Sequence, residues 1–258
     1  LPLIVSTSVC GFNRKFEIRN FQDLIQSNIY FRGFYEIRES KIFKKILKPG
    51  DTFIDVGANL GWYTVLAAKI VGSHGKVIAL EPSNKVYSHL HRNIEINSLT
   101  NVQLEKIALS DTNGTASFSG ITEKNQGIGS LIPKPKGTPD TVVEEVQTRK
   151  FDDFFSINEP KQIKLIKIDV EGAEMLVIKG MLGTLRQKKI DNIIIEVSDY
   201  HLKRIGSSSD EVFKILEDCG YRLSIIKYHP MNRYSLKPYK SYKANNSMFF
   251  GNVLAQAN

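Results

Sequence analysis

The sequence predicts an α/β fold in which a mostly parallel β-sheet carries helices on both faces. From residue 53 onward, short apolar runs rich in β-branched residues alternate with stretches of helical periodicity, which is the order of elements that builds a parallel sheet. The runs are predominantly apolar, as expected of strands that helices cover on both sides. Hydrophobic residues make up 41% of the 258 residues, so the chain can bury a sizeable core and is not a disordered protein.

Seven strands are expected in this sheet. They are Phe53–Val56, Lys76–Leu80, Val102–Leu109, Ile163–Val170, Asn192–Val197, Tyr221–Lys227 and Ser247–Leu254. No convincing helix separates the last two, so we expect them to form an antiparallel pair that closes one edge of the sheet. The predicted architecture is therefore a seven-stranded, mostly parallel sheet with an antiparallel C-terminal strand.

Helical patterns fill the intervals between the strands. Leu60–Val71 follows the first strand, and Val86, Leu90 and Ile94 repeat every four residues after the second. Ala173–Lys189 follows the fourth strand. These stretches have the lengths and apolar stripes of helices that pack on a sheet.

Two local patterns extend the helical prediction towards the ends of the chain. The stretch Arg38–Leu47 has a helical apolar pattern before the first strand, so we expect residues 1–50 to form an N-terminal helical extension that packs on the core. The pattern Ser208-Ser-Asp-Glu211 is a capping box, which predicts the start of another helix. Residues 51–258 are then the main domain.

One segment interrupts the strand–helix rhythm. Ser110–Lys150 is rich in Gly and Pro and contains two short strand-like pieces, Thr115–Phe118 and Val142–Thr148. Gly and Pro punctuate turns and loops. We therefore expect a flap or hairpin inserted into the main domain at about residues 111–150.

Cysteine usage and hydropathy indicate the compartment. Cys10 and Cys219 are far apart and belong to no CxxC pattern, which disfavours a disulfide framework or a zinc site and fits a reducing environment. No run approaches the roughly 18–20 apolar residues that span a bilayer, and the first residues lack the basic leader of a signal peptide. We therefore expect a soluble, cytoplasmic protein with no membrane span.

The net charge of +8 is unevenly distributed. No acidic residue follows Asp218, whereas six basic residues do: Arg222, Lys227, Arg233, Lys237, Lys240 and Lys243. Such a segment can attract an anionic partner, and the tyrosines among these charges can stack on bases. A solvated loop between two strands is the interpretation we favour, so nucleic acid stays open as a partner but is not preferred.

The turn after the first strand has the features of a nucleotide site. Gly57 and Gly61, in Asp55-x-Gly-x-x-x-Gly61, allow a tight turn and a close backbone approach to a ligand at a helix N-terminus. A dinucleotide fingerprint would carry a central glycine where this chain has Asn59. The turn therefore favours a mononucleoside cofactor, and Asp55 can accept bonds from the turn or from a ligand ammonium.

Glu81 supports the same interpretation. It follows the second strand, 20 residues after Gly61, at the position where a carboxylate accepts bonds from two ribose hydroxyls. We expect Glu81 to hold the ribose of the cofactor.

Several motifs, in order and spacing, resemble the FkbM-type methyltransferase family over about residues 30–200. They are Tyr35-Glu36, Lys48-Pro-Gly-Asp51, Asp55-Val-Gly-Ala-Asn-Leu-Gly-Trp-Tyr-Thr64, Ala108-Leu-Ser-Asp111 and Lys167-Ile-Asp-Val-Glu-Gly-Ala-Glu174. The glycine turn alone is typical of any class I methyltransferase, whereas its combination with the last motif is much more specific. The resemblance implies a Rossmann-like class I methyltransferase sandwich, S-adenosyl-L-methionine as methyl donor and S-adenosyl-L-homocysteine as product, and commonly a hydroxyl group as acceptor.

The resemblance also implies a set of cofactor-binding residues within the matched motifs. They are Glu36, Asp55, Gly57, Ala58, Asn59, Gly61, Tyr63, Glu81, Ala108 and Asp169. In this set the residues from Asp55 to Gly61 line the methionine and ribose side, and Ala108 lies near the adenine. The family acts on varied glycans and natural products, so the acceptor does not follow from the resemblance.

Acidic residues at strand ends are the candidates for the chemistry. Asp169 and Glu171 end the fourth strand, where ligands of open α/β sheets bind, and their i, i+2 spacing lets both carboxylates face one cleft. For an in-line methyl transfer to an alcohol, the protein must align the acceptor oxygen and remove its proton. We expect Asp169 or Glu171 to be the base or the positioning group, with His201 as another candidate base.

The sequence is also compatible with a metal site and with other functions. Asp169, Glu171, Glu196 and Asp199 offer oxygen ligands for a divalent cation, but nothing in the sequence fixes their mutual geometry, so we expect no metal. The favoured function is O-methylation of a small-molecule or glycan acceptor. The alternatives are an RNA or protein methyltransferase, a non-catalytic binding module for S-adenosylmethionine and, least favoured, a nicotinamide oxidoreductase. The sequence carries no signal for an oligomeric state.

Overall fold

A computed structural model of the protein describes residues 2–121, 129–133, 142–156, 162–229, 233–239 and 248–258. Its strands are β1 (Leu3–Val9), β2 (Phe12–Ile18), β3 (Thr52–Val56), β4 (Lys76–Leu80), β5 (Val102–Glu105), β6 (Ala108–Leu109), β7 (Gly114–Ile121), β8 (Val142–Arg149), β9 (Leu165–Ile168), β10 (Asn192–Ser198), β11 (Tyr221–His229), β12 (Arg233–Pro238) and β13 (Phe250–Ala257). The helices are α1 (Leu24–Arg32), α2 (Ile37–Ile46), α3 (Trp62–Val71), α4 (Asn84–Ile96), α5 (Phe151–Ser156), α6 (Glu174–Gly180), α7 (Leu182–Arg186), α8 (Asp199–Leu202) and α9 (Ser209–Asp218).

The main sheet has the strand order β12-β11-β13-β10-β9-β3-β4-β5. The five strands β10, β9, β3, β4 and β5 run parallel, whereas β13 is antiparallel to both β10 and β11. The predicted α/β class, with a mostly parallel sheet and an antiparallel C-terminal strand, is confirmed. Because β3 lies in the middle, the carboxyl ends of β3, β4 and β9 meet at one edge, where ligands of such sheets bind.

The sheet has eight strands rather than the predicted seven. The additional strand, β12, pairs antiparallel with β11 at the edge of the sheet. Its residues are half-buried or exposed and it ends at Pro238, so its sequence lacks the apolar run on which the strand prediction relied. Edge strands tolerate Pro because one side of the strand donates to no neighbour.

Two predicted elements are broken by long-range contacts. The predicted strand Val102–Leu109 is split, because Ala108 and Leu109 leave the main sheet and pair with Thr148 and Arg149 of β8. The predicted helix Ala173–Lys189 is split into α6 and α7 near Gly180. A Cβ atom at Gly180 would lie 2.0 Å from the Ser110 carbonyl oxygen, so the chain of Ser110 packs directly against the break.

The N-terminal 50 residues are only partly helical. A helix is present at Ile37–Ile46, close to the expected Arg38–Leu47, but Leu3–Ile18 forms the antiparallel hairpin β1–β2. The prediction of a helical N-terminal extension is therefore wrong for the residues of this hairpin. The hairpin alternates exposed and buried residues, and its inner side packs with α2 and α3 on one face of the sheet.

Helices cover both faces of the sheet, as predicted. One apolar core includes residues of α2, α3 and α4 together with the hairpin, and the other includes residues of α6, α7 and α9. The capping box at α9 is present, since the Ser208 hydroxyl accepts from Glu211 N while the Glu211 carboxylate accepts from Ser208 N. Within the described part of the chain, no helix is both long and apolar enough to cross a bilayer.

The strand-like pieces of the insertion form a small sheet beside the main one. β7 pairs antiparallel with β8, and β8 pairs parallel with β6. The expected hairpin strands Thr115–Phe118 and Val142–Thr148 lie within β7 and β8, while residues 122–128 and 134–141 lie outside the described residues. This small sheet stands next to the carboxyl edge of the main sheet.

Candidate functional site

The turn after β3 is held open by left-handed backbone conformations. Gly57, Asn59 and Gly61 have φ angles of 79°, 52° and 94°. The amides of Gly57 and Ala58 both donate to the Leu80 carbonyl at 3.0 Å, which fixes the turn against the end of β4. Glycine adopts such angles without steric cost, and Asn59 tolerates the conformation better than most residues.

Gly57 also allows a close chain crossing. A Cβ atom at Gly57 would lie 2.0 Å from the carbonyl oxygen of Asp169, at the end of β9. The Asp169 amide in turn donates to the Val56 carbonyl at 3.0 Å. The turn and the acidic strand end therefore form one packed unit.

Glu81 points into this edge from the end of β4. Its Oε2 accepts from the Asn59 amide at 3.0 Å and its Oε1 accepts from the Ser83 amide at 3.1 Å. The residue is only 6% exposed, and burial raises the pKa of the carboxyl to about 7 although the two amides lower it. Each oxygen keeps a second acceptor site.

A single cleft joins Glu81 to the acidic end of β9. Its walls come from the turn, the ends of β4 and β9, the β5–β6 connection and the insertion. The lining residues are Val56, Gly57, Asn59, Leu80, Glu81, Pro82, Ile107, Ala108, Leu109, Phe118, Gly129, Leu131, Asp169, Val170, Glu171 and Ala173. One end of the cleft is apolar, around Ala108 and Phe118, and the other carries the Asp169 and Glu171 carboxylates.

Other predicted cofactor residues support the turn from behind. The Asp55 carboxylate is 2% exposed and accepts from the Thr64 hydroxyl at 2.6 Å, which fixes the first turn of α3. Burial raises the Asp55 pKa to about 6. Gly61 caps α3, where a Cβ atom would lie 2.7 Å from the end of the Leu90 side chain. The structure does not show Asp55 or Gly61 among the residues that line the cleft.

Glu36 and Tyr63 meet beneath the end of β9. The Tyr63 hydroxyl donates to Glu36 Oε2 at 2.6 Å. Glu36 caps α2 with a φ angle of 40°, and burial raises its pKa to about 7 even though the Lys167 ammonium lowers it. The family resemblance implies a cofactor-binding role for both residues, and the structure places them close to Lys167 and Asp169.

Lys167 is the cation of this cluster. Its Nζ lies 2.6 Å from Asp169 Oδ2 and 4.8 Å from the centre of the Tyr63 ring. The side chain is 5% exposed. Burial lowers the Lys167 pKa, but the carboxylates of Asp169, Glu36 and Asp55 outweigh burial and raise it.

Glu196 extends the cluster onto the next strand. Ile195 pairs with Ile168 in the parallel register of β9 and β10, so Glu196 lies opposite Asp169. Burial and then the Asp169 charge raise the Glu196 pKa to about 8. From the sequence, Glu196 was considered only as a possible ligand of a divalent cation. The signal that could have singled it out is an acid directly after three consecutive isoleucines of a buried strand.

Glu171 and His201 form a second pair at the rim. Glu171 Oε2 lies 3.6 Å from His201 Nδ1, and both side chains are about one quarter exposed, at 28% and 26%. Glu171 has a φ angle of 53°. A Cβ atom at Gly172 would lie 2.8 Å from the His201 Cβ, so His201 packs on the chain directly after Glu171.

Asp199 and the described basic residues after Asp218 are not among the residues that line the cleft. The Asp199 carboxylate accepts from the Ser209 and Phe249 amides, both at 2.7 Å. Among the described residues, no group of three or more His, Cys, Asp or Glu side chains is arranged to hold a metal ion. Of the six basic residues after Asp218, four lie on β11 and the edge strand β12, while Lys240 and Lys243 lie outside the described residues.

The sequence of this chain is similar to those of known methyltransferases. The family described as the methyltransferase FkbM domain matches residues 55–223. Methyltransferase 1 of Beauveria bassiana is 29% identical over 167 residues, which is 58% of this chain and 66% of the relative, or slightly less than two thirds of its length. The hexuronic acid methyltransferase AglP of Haloferax volcanii is 24% identical over 229 residues, covering 88% of this chain and 84% of the relative.

Solved structures with a similar fold include methyltransferases of several kinds. A SAM-dependent methyltransferase from Aquifex aeolicus is 18% identical, covers 90% of this chain and 93% of its own, and has a TM-score of 0.47. An rRNA methylase from Streptococcus thermophilus is 11% identical, with coverages of 85% and 95% and a TM-score of 0.48. With the family match spanning most of the chain, including the turn, Glu81 and the acidic strand ends, this protein belongs to the FkbM methyltransferase family.

Proposed function

We propose that this methyltransferase transfers a methyl group from S-adenosylmethionine to an oxygen atom, most readily a hydroxyl, of a glycan or small natural-product acceptor. The observation that carries the proposal is the single cleft that joins Glu81, at its nucleoside end, to Asp169 and Glu171, at its acidic end. A donor held by the first end would place its reactive group beside the second.

The residues of the cleft fit S-adenosylmethionine. Ile107, Ala108 and Phe118 offer an apolar surface of the kind that adenine requires. The two Glu81 oxygens suit the two ribose hydroxyls, because each oxygen can accept one more hydrogen bond. The glycine turn leaves room for the methionine chain at the N-terminus of α3.

When bound, S-adenosylmethionine supplies a methyl group on a positively charged sulfur. The residues of this chain then align the acceptor oxygen with that methyl group, and such alignment lowers a barrier by several kcal/mol. Asp169 and Glu171 are assigned to the contact with the acceptor or with the donor's ammonium group, since both line the acidic end. Their negative charge also favours the positive donor over its neutral product.

A relative supports the class of acceptor. AglP is named a hexuronic acid methyltransferase, and a hexuronic acid offers both hydroxyl and carboxylate oxygens. A sugar acceptor suits the polar, acidic end of the cleft better than an apolar acceptor would, because its hydroxyls can donate hydrogen bonds to the Asp169 and Glu171 carboxylates.

Two measurements test the proposal. Calorimetry with S-adenosylhomocysteine should show micromolar or tighter binding, whereas NADH should not bind. Labelled S-adenosylmethionine, presented with monosaccharides, uronic acids and polyols, should give methylated products, and mild alkali separates them because it cleaves methyl esters but not methyl ethers.

The rival interpretations predict different outcomes. Binding without transfer to any hydroxyl or carboxyl compound would indicate a binding module. Transfer to RNA or protein alone would indicate a macromolecular acceptor, and RNA binding through the basic segment would weaken steeply with added salt.

A further inference from the structure

Glu196 lies on β10, beside the acidic end of β9. Strands β9 and β10 are parallel, with Ile195 opposite Ile168, and neighbouring strands lie about 4.8 Å apart. Residues i and i+2 of a strand point to the same face, so Lys167, Asp169 and Glu196 share one face of the sheet. Glu196 is half-buried, and the neighbouring Asp169 lines the cleft.

The Asp169 carboxylate is already engaged by a buried cation. Its Oδ2 lies 2.6 Å from the Lys167 ammonium, whose side chain is 5% exposed. A buried charge that loses its partner is costly, so we assign Asp169 to the pairing and positioning of Lys167.

Glu196 is differently placed. Among the residues the structure describes, none donates a hydrogen bond to its carboxylate. The titratable groups that face it are Asp169 and Lys167 from β9, Glu171 beyond β9, and Tyr35 and Glu36 before α2. Three of these five are carboxylic acids, so the surroundings favour the protonated form of Glu196 and make it a stronger base.

The wall on the other side of Glu196 is polar. Asn252 of β13 lies opposite Glu196 in the antiparallel register and is 7% exposed. Its Nδ2 donates to the Tyr228 hydroxyl at 3.1 Å, and its Oδ1 is buried without a partner among the described residues. A polar wall of this kind suits an acceptor with more than one hydroxyl group.

We propose that Glu196 is the general base that removes the proton from the acceptor hydroxyl. This inference rests on the proposed O-methyltransferase function. The acceptor O–H bond breaks as its proton passes to Glu196, and the acceptor oxygen forms a bond to the methyl carbon. The bond between that carbon and the donor sulfur breaks, its electron pair stays on sulfur, and Glu196 later releases the proton to water.

The first test is activity as a function of pH. Probes are methyl β-D-glucopyranoside and D-glucuronic acid with radiolabelled S-adenosylmethionine. Glu196→Gln should lower kcat by about 10²–10⁴-fold while S-adenosylhomocysteine binds as in the wild type. The rise of wild-type kcat with pH should disappear in the variant, and Glu196→Asp should restore part of it.

The controls separate this role from a structural one. Glu217→Gln changes an exposed glutamate on α9 in the same way and should leave kcat and its pH profile unchanged. His201→Gln tests the other candidate base. If the pH-dependent limb is lost in His201→Gln and kept in Glu196→Gln, or if Glu196→Gln keeps kcat within about threefold, Glu196 is not the base.

A second test needs no acceptor. In protein labelled with 13C at the glutamate carboxyls and saturated with S-adenosylhomocysteine, several resonances should titrate above the ordinary range of glutamate, and one of them should be absent from Glu196→Gln. A Glu196 resonance that titrates near pH 4 would overturn the inference. If the wild type does not bind S-adenosylhomocysteine, or modifies neither probe, the proposed function fails instead, and the same titration of the unliganded protein still decides the state of Glu196.

Discussion

Gly57 and Asp169 touch at the centre of the site: a Cβ atom at Gly57 would lie 2.0 Å from the Asp169 carbonyl oxygen. The contact joins the nucleoside turn after β3 to the acidic end of β9. Backbone atoms cannot yield as the end of a flexible side chain can, so a larger residue at position 57 must separate the two strand ends. The relative position of the turn and the acidic groups therefore depends on the absence of one side chain.

Gly57→Ala should destabilise the protein and weaken donor binding together. Gly206→Ala is the matched control, because Gly206 has φ 68° and ψ 26° but no atom within 4 Å of its Cβ position. The left-handed conformation alone costs alanine about 1–2 kcal/mol, so the control reports that strain. In urea unfolding, Gly57→Ala should lose clearly more free energy than Gly206→Ala. Equal losses would show that the contact with Asp169 relaxes freely.

The ion pair of Lys167 and Asp169 should be strongly coupled. Lys167→Met and Asp169→Asn should each lower the free energy of unfolding by roughly 2–4 kcal/mol, because each leaves a charge in a largely buried place. The double variant should lose less than the sum of the single losses.

The matched control for this cycle is the pair Lys164–Asp191, which lies at 2.9 Å with side chains 36% and 34% exposed. Its coupling energy should be about 0–1 kcal/mol, whereas that of Lys167–Asp169 should exceed 1 kcal/mol. Equal coupling in the two cycles, measured by urea unfolding, would contradict the distinction drawn from burial.

Local sequence patterns predicted the parts of the site that are local in the chain. The turn from Gly57 to Gly61 and Glu81 each follow a buried strand directly, so strand ends and the parallel order were sufficient to place them. Glu196 was not predicted as a base, because its relation to Asp169 and Lys167 arises from the register of β9 and β10. That register is a contact between residues nearly 30 positions apart.

The same distinction applies to the fold. The apolar strands were predicted because burial on both faces leaves a continuous signal, whereas edge strand β12 has none. The breaks at Lys106–Ile107 and near Gly180 depend on pairing with β8 and on packing against Ser110. Both partners are distant in sequence, so helical or strand periodicity alone extends these elements too far.

Protein stability should fall as pH rises from about 5 to 8. Burial raises the pKa of Glu36, Glu81 and Glu174 to about 7 and that of Asp55 to about 6. A carboxyl whose pKa is raised on folding binds more protons in the folded state between the unfolded and folded pKa values. The folded state therefore gains stability as pH falls through this window and loses it as pH rises. Urea unfolding of the unliganded protein at pH 5 and pH 8 measures the difference.

Glu174→Gln isolates one part of this pH dependence. Glu174 is 3% exposed, accepts from the Gly172 amide at 2.9 Å through Oε1, and has a buried Oε2 without a partner among the described residues. Gln keeps the accepting oxygen and cannot ionise. The variant should match the wild type near pH 5 and be more stable near pH 8, by on the order of 1–3 kcal/mol. An unchanged slope would show that Glu174 stays charged.

Glu81 should determine recognition of the ribose. Its two oxygens accept from the Asn59 and Ser83 amides at 3.0 and 3.1 Å. Glu81→Ala therefore removes the predicted ribose contacts and also disturbs the turn, and a loss of affinity would not separate these two effects. The comparison of adenosine with 2′-deoxyadenosine separates them, because the two ligands differ only in one ribose hydroxyl. The wild type should prefer adenosine by about 10-fold or more, as expected for a hydrogen bond to a charged group, and Glu81→Ala should lose this preference. Glu95→Gln, an exposed glutamate of α4, should keep it. If Glu81→Ala still distinguishes the two nucleosides by calorimetry, another residue holds the ribose.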